Sequence, residues 1–496
     1  MGKTRKQTIE GLLEKIRSYN PQADFDLVQL SYEFARDAHE GQTRKSGEPY
    51  IIHPLAAAHY LADMHIDPVI ICATLLHDVP EDTEVTLEEL EKNFGTEIAS
   101  MVRGITKLGK LKYRGVERYI ENLRKMFVAM AEDVRVMIIK FADRIHNLST
   151  LGALPPQKRY RIALESLEIY APIANRLGME EMKGELEDLS FQYVYPKEYQ
   201  RVKKLRDEKL HGKETYFKQT INKAKTELKK AGLEPLEIYG RNKRLYSLYK
   251  KLMRKDNQMT RVYDLVAIRI IVDSVADCYA TLGILHNIWK PVKGRIKDYI
   301  SQPKPNGYQS LHTTVFSDGG EAIEFQIRTN DMHEEAEYGV SAHWHYDEKG
   351  SRAPKREVKW VQELAEIQKD ILNRLSDLEE MKVDFLQSRI FVFTPKGDVI
   401  DLPEGASPID FAYHIHTDIG NKCVGSIVND KMVPLSTELK NGDVVDIQTD
   451  KNRKGPSGDW LNYVKTHTAR YHIKSELKSQ EKATLTKWLK SVLPRK

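Results

Sequence analysis

The sequence predicts a multidomain α+β protein: an all-α domain first, a mixed α/β domain in the middle, and a small strand-rich domain towards the end. Three observations predict it. Apolar residues recur at helical spacing through the first 196 residues, as in Ile9, Leu12, Leu13 and Ile16. The period then falls to two, most clearly in Glu321–Thr329, where Ile323, Phe325 and Ile327 alternate with Glu324, Gln326 and Arg328. After Arg389, short β-rich runs are separated by turn residues. At 496 residues the chain can bury roughly three cores. Lys+Arg of 77 against Asp+Glu of 72 leaves only +5, so bulk charge argues for no particular partner. Cys72, Cys278 and Cys423 form no CxxC, which argues against a disulfide framework or zinc knuckle and fits a reducing cytosol. No apolar run approaches the ~20 residues of a membrane span, and the first residues lack the apolar core of a signal peptide.

In the first part, Leu27, Leu30, Phe34 and Ala35 are expected to form a second apolar face. The polar loop Gln42–Pro49 follows, and its Arg44 and Lys45 suit phosphate groups. Asp67 is placed to cap a helix that has Pro68 at its first position. That helix runs into His77-Asp78. Imidazole and carboxylate side by side suit a divalent metal that keeps a position open for water. His53 and Asp143 lie where a helical domain can fold them back to the same place. Pro80 is expected to end or kink the helix directly after Asp78 and to turn Val79 away from helical geometry. Glu81 and Asp82 then sit on a turn, where two carboxylates can orient or deprotonate a water. Thr86-Leu87-Glu88-Glu89 opens another helix and Gly95 is a plausible stop for it.

The stretch from Lys197 to Gly232 is rich in lysine and reads as the wet face of a connecting helix. Residues 262–272 are near-continuously apolar, as in a central strand, yet carry Asp264 and Arg269. Two strand carboxylates, Asp264 and Glu324, can share Mg²⁺ between phosphates. Arg241, Lys243, Arg244, Lys251, Lys297 and Lys304 are cationic candidates for clamping those phosphates. Tyr308, in the turn Lys304–His312, can stack on a base. Beyond a break at 350–356, Trp360, Leu364, Ile367, Ile371 and Leu375 mark an amphipathic packing strut. Strands are expected at 390–394, 399–402, 424–433 and 444–449, with a helix opened by Ser407-Pro408. His414 and His416, two apart on a helix, point different ways and read as RNA contact or packing rather than as a metal pair.

Residues 44–54, His77-Asp78 with Glu81-Asp82-Thr83, and residues 142–148 together resemble the HD-type hydrolase domain of the long RelA/SpoT homologues. Those enzymes make and destroy guanosine tetra- and pentaphosphate. Residues 239–243, 261–265, 295–299, 304–312 and 324–328 resemble, in order and spacing, their nucleotidyltransferase-like synthetase domain. Residues 388–450 resemble their β-grasp TGS domain, a module that meets tRNA ends. The resemblance implies that His53, His77, Asp78 and Asp143 bind Mn²⁺, that Glu81 and Asp82 act on the attacking water, and that Arg44, Lys45, Arg144 and Asn147 line the nucleotide pocket. It also implies pyrophosphate transfer from ATP to the 3′-hydroxyl of GDP or GTP. Asp264 would bind Mg²⁺, and Glu324 would assist it or take the 3′-proton. Arg241 and Arg269 would hold the ATP side, Lys243 and Lys251 would join the nucleotide site, Tyr308 would stack on guanine, and Lys297, Lys304 and His312 would neighbour the phosphates. Arg295-Ile296-Lys297-Asp298 matches the basic form carried by the family's bifunctional members.

The implied domains are 1–196 (hydrolase), 197–232 (helical connector), 233–345 (synthetase), 346–387 (helical linker), 388–450 (TGS) and 451–496 (helical tail). Expected partners are ATP, GDP or GTP and (p)ppGpp, with tRNA or the ribosome through the TGS domain, in the cytoplasm and away from membranes. The family's long members carry further regulatory domains after this region, so RNA-dependent control is expected to be weak here. Pro80 stands where the family has an aliphatic residue. Gly307 replaces a bulkier one and is expected to loosen the guanine loop. Two other readings stay open: a hydrolase-dominant enzyme with a weak or inactive synthetase, and a non-catalytic RNA- or ribosome-binding regulator, which the complete sets of metal-binding residues oppose.

Overall fold

Helix Pro68–Leu76 begins as its sequence dictates: the Asp67 side chain accepts from Val69 N–H at 2.7 Å, and Pro68 occupies a first-turn position that needs no acceptor. In this computed structural model, residues 7–109, 126, 129, 132–253, 257, 265–304, 306–339, 389–395, 399–440, 442–453, 455–466 and 468–478 are described. The expected strut at 346–387 and residue Asp264 lie outside them. The chain divides into two units, Met1–Leu372 and Asn373–Lys496.

In the first unit, helices Ile9–Tyr19, Phe25–Ala38, Ile52–Asp63, Pro68–Leu76, Leu87–Gly109 and Arg135–Ser149 enclose fully buried Leu12, Ile16, Leu61, Ile70, Leu75 and Phe141. Two expectations shift. The second helix buries Val28, Ser31 and Ala35, while Leu30 is 48% exposed, so its inward face is rotated from Leu27, Leu30 and Phe34. Small residues there allow close approach, and Ser31 satisfies its hydroxyl on Leu27 O at 2.8 Å. Pro80 does not turn the chain away from helix. The apolar helix stops at Leu76, and Val79–Asp82 forms a short helical turn with Pro80 inside its start. The first N–H groups of a helix have no intrahelical acceptor, so proline is tolerated there. Gly95 breaks the helix as its position suggests, with φ 83° and ψ 168°.

The middle of the chain builds a five-stranded sheet in the order β1 (Glu237–Asn242), β2 (Val266–Val272), β5 (Ala322–Thr329), β4 (Leu311–Phe316), β3 (Lys290–Asp298). Only β2 and β5 run parallel; the other pairs are antiparallel. One face is apolar: Ile268, Ile270, Ile323, Phe325 and Ile327 pack on Ala224 and Leu228 of helix Glu214–Lys230 and on Cys278 and Leu285 of helix Val275–Ile288. Part of the lysine-rich stretch thus covers the sheet, while its lysines stay wet. The register places Tyr239, Arg269, Gln326, His312 and Lys297 opposite one another across all five strands, on the other face.

Helical and sheet parts meet within this unit along residues 177–188. Gly339 has φ +60°, and a Cβ there would lie 2.2 Å from Leu177 O, so only glycine allows that approach. Asp188 caps helix Leu245–Met253 by accepting from Tyr246 N–H at 2.9 Å.

In the second unit, β6 (Arg389–Phe393) pairs with β7 (Val399–Pro403), and β8 (Cys423–Val428) lies between β10 (Val445–Thr449) and β9 (Lys431–Val433). The single strand expected at 424–433 is a hairpin. Asn429 and Asp430 both take positive φ, 50° and 63°, the geometry of a tight two-residue turn. Ser407 and Asp410 form a full capping box on helix Pro408–Ile415. Buried Asp410 also accepts from Thr466 N–H at 2.7 Å and Lys465 N–H at 2.9 Å. Trp460, Val464, Ala469 and Ile473 pack on Ile409, Tyr413 and Cys423, so the described part of the tail belongs to this domain's core.

Candidate active sites

Four elements bring the first set of residues together: helix Ile52–Asp63 carries His53, the end of Pro68–Leu76 carries His77 and Asp78, Val79–Asp82 carries Glu81 and Asp82, and Arg135–Ser149 carries Asp143. Ligand atoms of His53, His77 and Asp143 lie within 4.8 Å of one another, and all three residues are buried. His53 Nε2 is 3.2 Å from Asp143 Oδ1 and 3.5 Å from Asp78 Oδ2; His77 Nε2 is 3.1 Å from Asp78 Oδ1.

The outward nitrogens decide the tautomers. His77 Nδ1 donates to Thr74 O at 2.7 Å, which in the neutral ring leaves the buried Nε2 as a lone pair facing Asp78. Lone pairs and carboxylate oxygens converging on one point repel unless a cation lies between them. The donor set therefore fits a divalent metal.

Burial alone would raise Asp143, but the Lys140 ammonium 2.8 Å away holds it well below the carboxylate range. Lys140 was not among the expected site residues. Tyr50 O–H serves both Asp78 Oδ2 at 2.9 Å and Asp82 Oδ2 at 2.5 Å, and burial followed by these anions raises its pKa. Crowding by protein pushes Glu81 up to about 7, although the residue sits at the mouth of an open cleft of about 840 Å³ with Gln42, Asp82, Thr83 and Glu89. Burial, followed by His53 and Arg44 beside it, pushes His146 down to about 3.

Beside this centre lies a pocket of about 360 Å³. Arg44, Lys45, Arg144 and Asn147 line it together with Tyr50, Lys158 and the apolar Leu151, Leu154 and Ile162. Cations against an apolar wall suit a base with phosphates attached. Arg144 is held by Glu165 at 3.5 Å and lies 4.3 Å over the Tyr170 ring, which a π-helical turn at Ser166–Tyr170 presents.

The second candidate site is the polar sheet face. Arg241, Arg269 and Arg328 all reach Glu337 Oε1, at 3.3, 2.8 and 3.0 Å. Arg328 is fully buried and was not among the expected residues; its signal was the alternation along β5 that put a charge on the polar face. Glu324, Gln326 and His312 adjoin this group: His312 Nδ1 is 3.1 Å from Glu324 Oε1, and His312 Nε2 is 2.8 Å from the Tyr308 hydroxyl. Lys297 stands opposite His312 on β3. Lys243 directly follows β1, and Lys251 is half-buried on helix Leu245–Met253.

Two expectations change here. Arg244 is not directed at phosphates: it bonds Glu181 and, at 2.9 Å, Glu185, joining sheet to helical domain. Tyr308 is 7% exposed, with the Lys304 ammonium 4.3 Å over its ring, so in this state it is not presented to a base. Gly307 takes a backbone conformation that L side chains rarely adopt. With φ +81° it closes a turn in which Gly307 N–H donates to Lys304 O at 2.8 Å and Lys304 N–H to Tyr308 O at 3.1 Å.

The folds and sites define a protein with two reaction centres: a buried His/Asp metal set of HD type in a helical domain, and an arginine-rich sheet face suited to polyphosphates. Residues 31–180 match the HD domain, 240–351 the region found in RelA / SpoT proteins, and 390–449 the TGS domain. The chain is similar to the guanosine-3′,5′-bis(diphosphate) 3′-pyrophosphohydrolase of Aquifex aeolicus (strain VF5), at 46% identity over 496 residues, 100% of this chain and 70% of that protein. It is 45% identical to the GTP pyrophosphokinase of Myxococcus xanthus, over 94% of this chain and 62% of that protein. It is 44% identical to the bifunctional (p)ppGpp synthase/hydrolase SpoT of Escherichia coli (strain K12), over 95% and 67%. The chain belongs to the RelA/SpoT family. It spans less than the full length of each of these relatives. No described helix is long and apolar enough to cross a membrane.

Proposed function

We propose that this protein both makes and destroys (p)ppGpp. The observation that carries the proposal is the coexistence, in one unit, of a His53/His77/Asp143 cluster with Asp78 beside it and a polar sheet face holding Arg241, Arg269 and Glu324. Relatives named for each activity and for both support it.

In the hydrolase reaction, water attacks the 3′-pyrophosphate of (p)ppGpp and GDP or GTP leaves with pyrophosphate released. His53, His77, Asp78 and Asp143 would hold Mn²⁺, which supplies Lewis acidity and neutralises phosphate charge. Lys45 and Lys158 hold the phosphates, the apolar wall receives the base, and Glu81, poised near neutrality, takes the proton of the attacking water with Asp82 beside it. In the synthetase reaction, the 3′-hydroxyl of GDP or GTP attacks the β-phosphorus of ATP and AMP leaves. Arg241 and Arg269 hold ATP, Lys297, Lys304 and His312 face the phosphates, and Glu324 takes the 3′-proton or helps Asp264 hold Mg²⁺. Lys243 and Lys251 extend the cationic border. Tyr308 stacks on guanine once Lys304 leaves its ring for a phosphate.

We place domain limits at 196, 232, 345 and 387, with the tail after 450 joined to the TGS domain's core, the enzyme in the cytoplasm, and RNA contact on the TGS domain. Incubation with ATP, GDP and Mg²⁺, then of the product with Mn²⁺, tests the reading. Nucleotide synthesis followed by pyrophosphate release is expected; failure of either step in folded protein refutes that half.

A further inference from the structure

Arg44 was expected only to line the nucleotide pocket, but its guanidinium is also built into the surroundings of the metal set. The loop that carries it is a tight hairpin, closed by Arg44 N–H on Glu48 O at 2.8 Å and Tyr50 N–H on Gln42 O at 3.1 Å. From it, Arg44 Nη1 reaches His146 Nδ1 at 2.9 Å and Nη2 reaches Asn147 Oδ1 at 2.6 Å. Each of these neighbours touches a different metal-set residue: His146 Nδ1 lies 2.7 Å from His53 Nδ1, and Asn147 Nδ2 donates to Asp143 Oδ1.

The donor–acceptor sequence points to one arrangement, in which the single in-plane lone pair of His146 Nδ1 is shared between Arg44 and His53. A guanidinium only donates, so His146 Nδ1 must be a bare acceptor. Two ring nitrogens 2.7 Å apart need one hydrogen between them, and His146 Nδ1 has none to give. The hydrogen therefore sits on His53 Nδ1, and His53 Nε2 is left as a lone pair facing Asp78 and Asp143. On the other prong, Asn147 accepts from Arg44 through its oxygen, which turns its amide towards Asp143 and fixes that carboxylate's rotation.

We infer that Arg44 is a positioning residue for the metal site: its two prongs set the tautomer of His53 through His146 and the orientation of Asp143 through Asn147. A planar fork is required, because an ammonium cannot direct two donors in parallel at two acceptors. This inference rests on the reading of the HD site as a divalent-metal centre.

The test is Mn²⁺ affinity of the metal-stripped full chain, without nucleotide, by calorimetric titration or by electron paramagnetic resonance of free Mn²⁺. Outer-shell partners of metal ligands are worth about 10- to 100-fold in affinity. Arg44→Lys and His146→Phe are expected to weaken Mn²⁺ binding within that range. His146→Asn, whose amide oxygen can take the place of Nδ1 as acceptor, should stay within about threefold of wild type and so show that the acceptor, not the ring's bulk, matters. Far-UV circular dichroism checks the fold of each variant. Wild-type Mn²⁺ affinity in folded Arg44→Lys, or a loss in His146→Asn equal to that in His146→Phe, overturns the inference while leaving the metal centre standing. A wild-type protein that binds no Mn²⁺ overturns the metal reading and this inference with it.

Discussion

Glu337 carries an unusual load: three guanidinium groups converge on one carboxylate oxygen of helix Asn330–Tyr338. Burial by itself would raise its pKa, but Arg269, Arg241 and Arg328 bring it down from 4.5 to about 2. With the side chain only 13% exposed, solvent screens the interaction little. At about 1.4 kcal/mol per pH unit, that drop corresponds to about 3 kcal/mol of stability at neutral pH. The folded value lies below the unfolded one, so the contribution is complete above about pH 4.5 and is lost as pH falls towards 2; about 2 kcal/mol remains at pH 3.5. Glu337→Gln keeps the shape and removes the charge. The two enzymatic domains need not unfold together, so the suitable assay is hydrogen exchange of peptides covering β2 and β5, followed against urea. With a slope of about 1–3 kcal/mol per molar, the transition of the variant should fall by roughly 1–3 M at pH 7 and by less at pH 3.5. An unchanged midpoint at pH 7, or the same deficit at both pH values, would refute the electrostatic account of this cluster.

Other expectations follow from the separation of the two sites. Asp78→Ala should abolish pyrophosphate release and leave synthesis, and Asp264→Ala should do the reverse; equal loss of both activities in either folded variant contradicts two independent centres. Tyr308→Ala should raise the apparent KM for GDP, since a stacked base contributes on the order of 1–3 kcal/mol. Tyr308→Phe isolates the bond to His312 and should retain most synthesis, as GDP titrations of both variants will show. Arg241 also bonds Glu181 of the helical domain at 3.2 Å, so GDP with an unreactive ATP analogue should lower hydrolysis by about 5- to 150-fold. Glu181→Gln should shrink that effect; hydrolysis indifferent to analogues shown to bind would exclude the coupling.

The sequence by itself determined much of the local structure. Asp67-Pro68 and Ser407-Pro408 start helices because a side-chain oxygen and a missing N–H both answer the first turn's unpaired donors. The alternation along β5 assigned one face to the core and the other to charge. Both signals are properties of neighbouring residues and backbone period, and they survive any arrangement of the rest of the chain. The resemblance brought His53, His77, Asp78 and Asp143 onto one list, and the fold places ligand atoms of three of them within one small volume.

Only the tertiary structure decided how the polar groups are shared. Arg244, read as a phosphate clamp, is taken by Glu181 and Glu185, sixty residues earlier in the chain, and Tyr308 lies under Lys304. Asp410 ties residues 465 and 466 into a domain that the strand pattern ended at 450. Lys140, His146, Arg328 and Glu337 gained their roles in the same way. A buried donor or acceptor must find a partner among whatever groups the fold brings beside it. That choice depends on distances between remote segments, which no local period encodes.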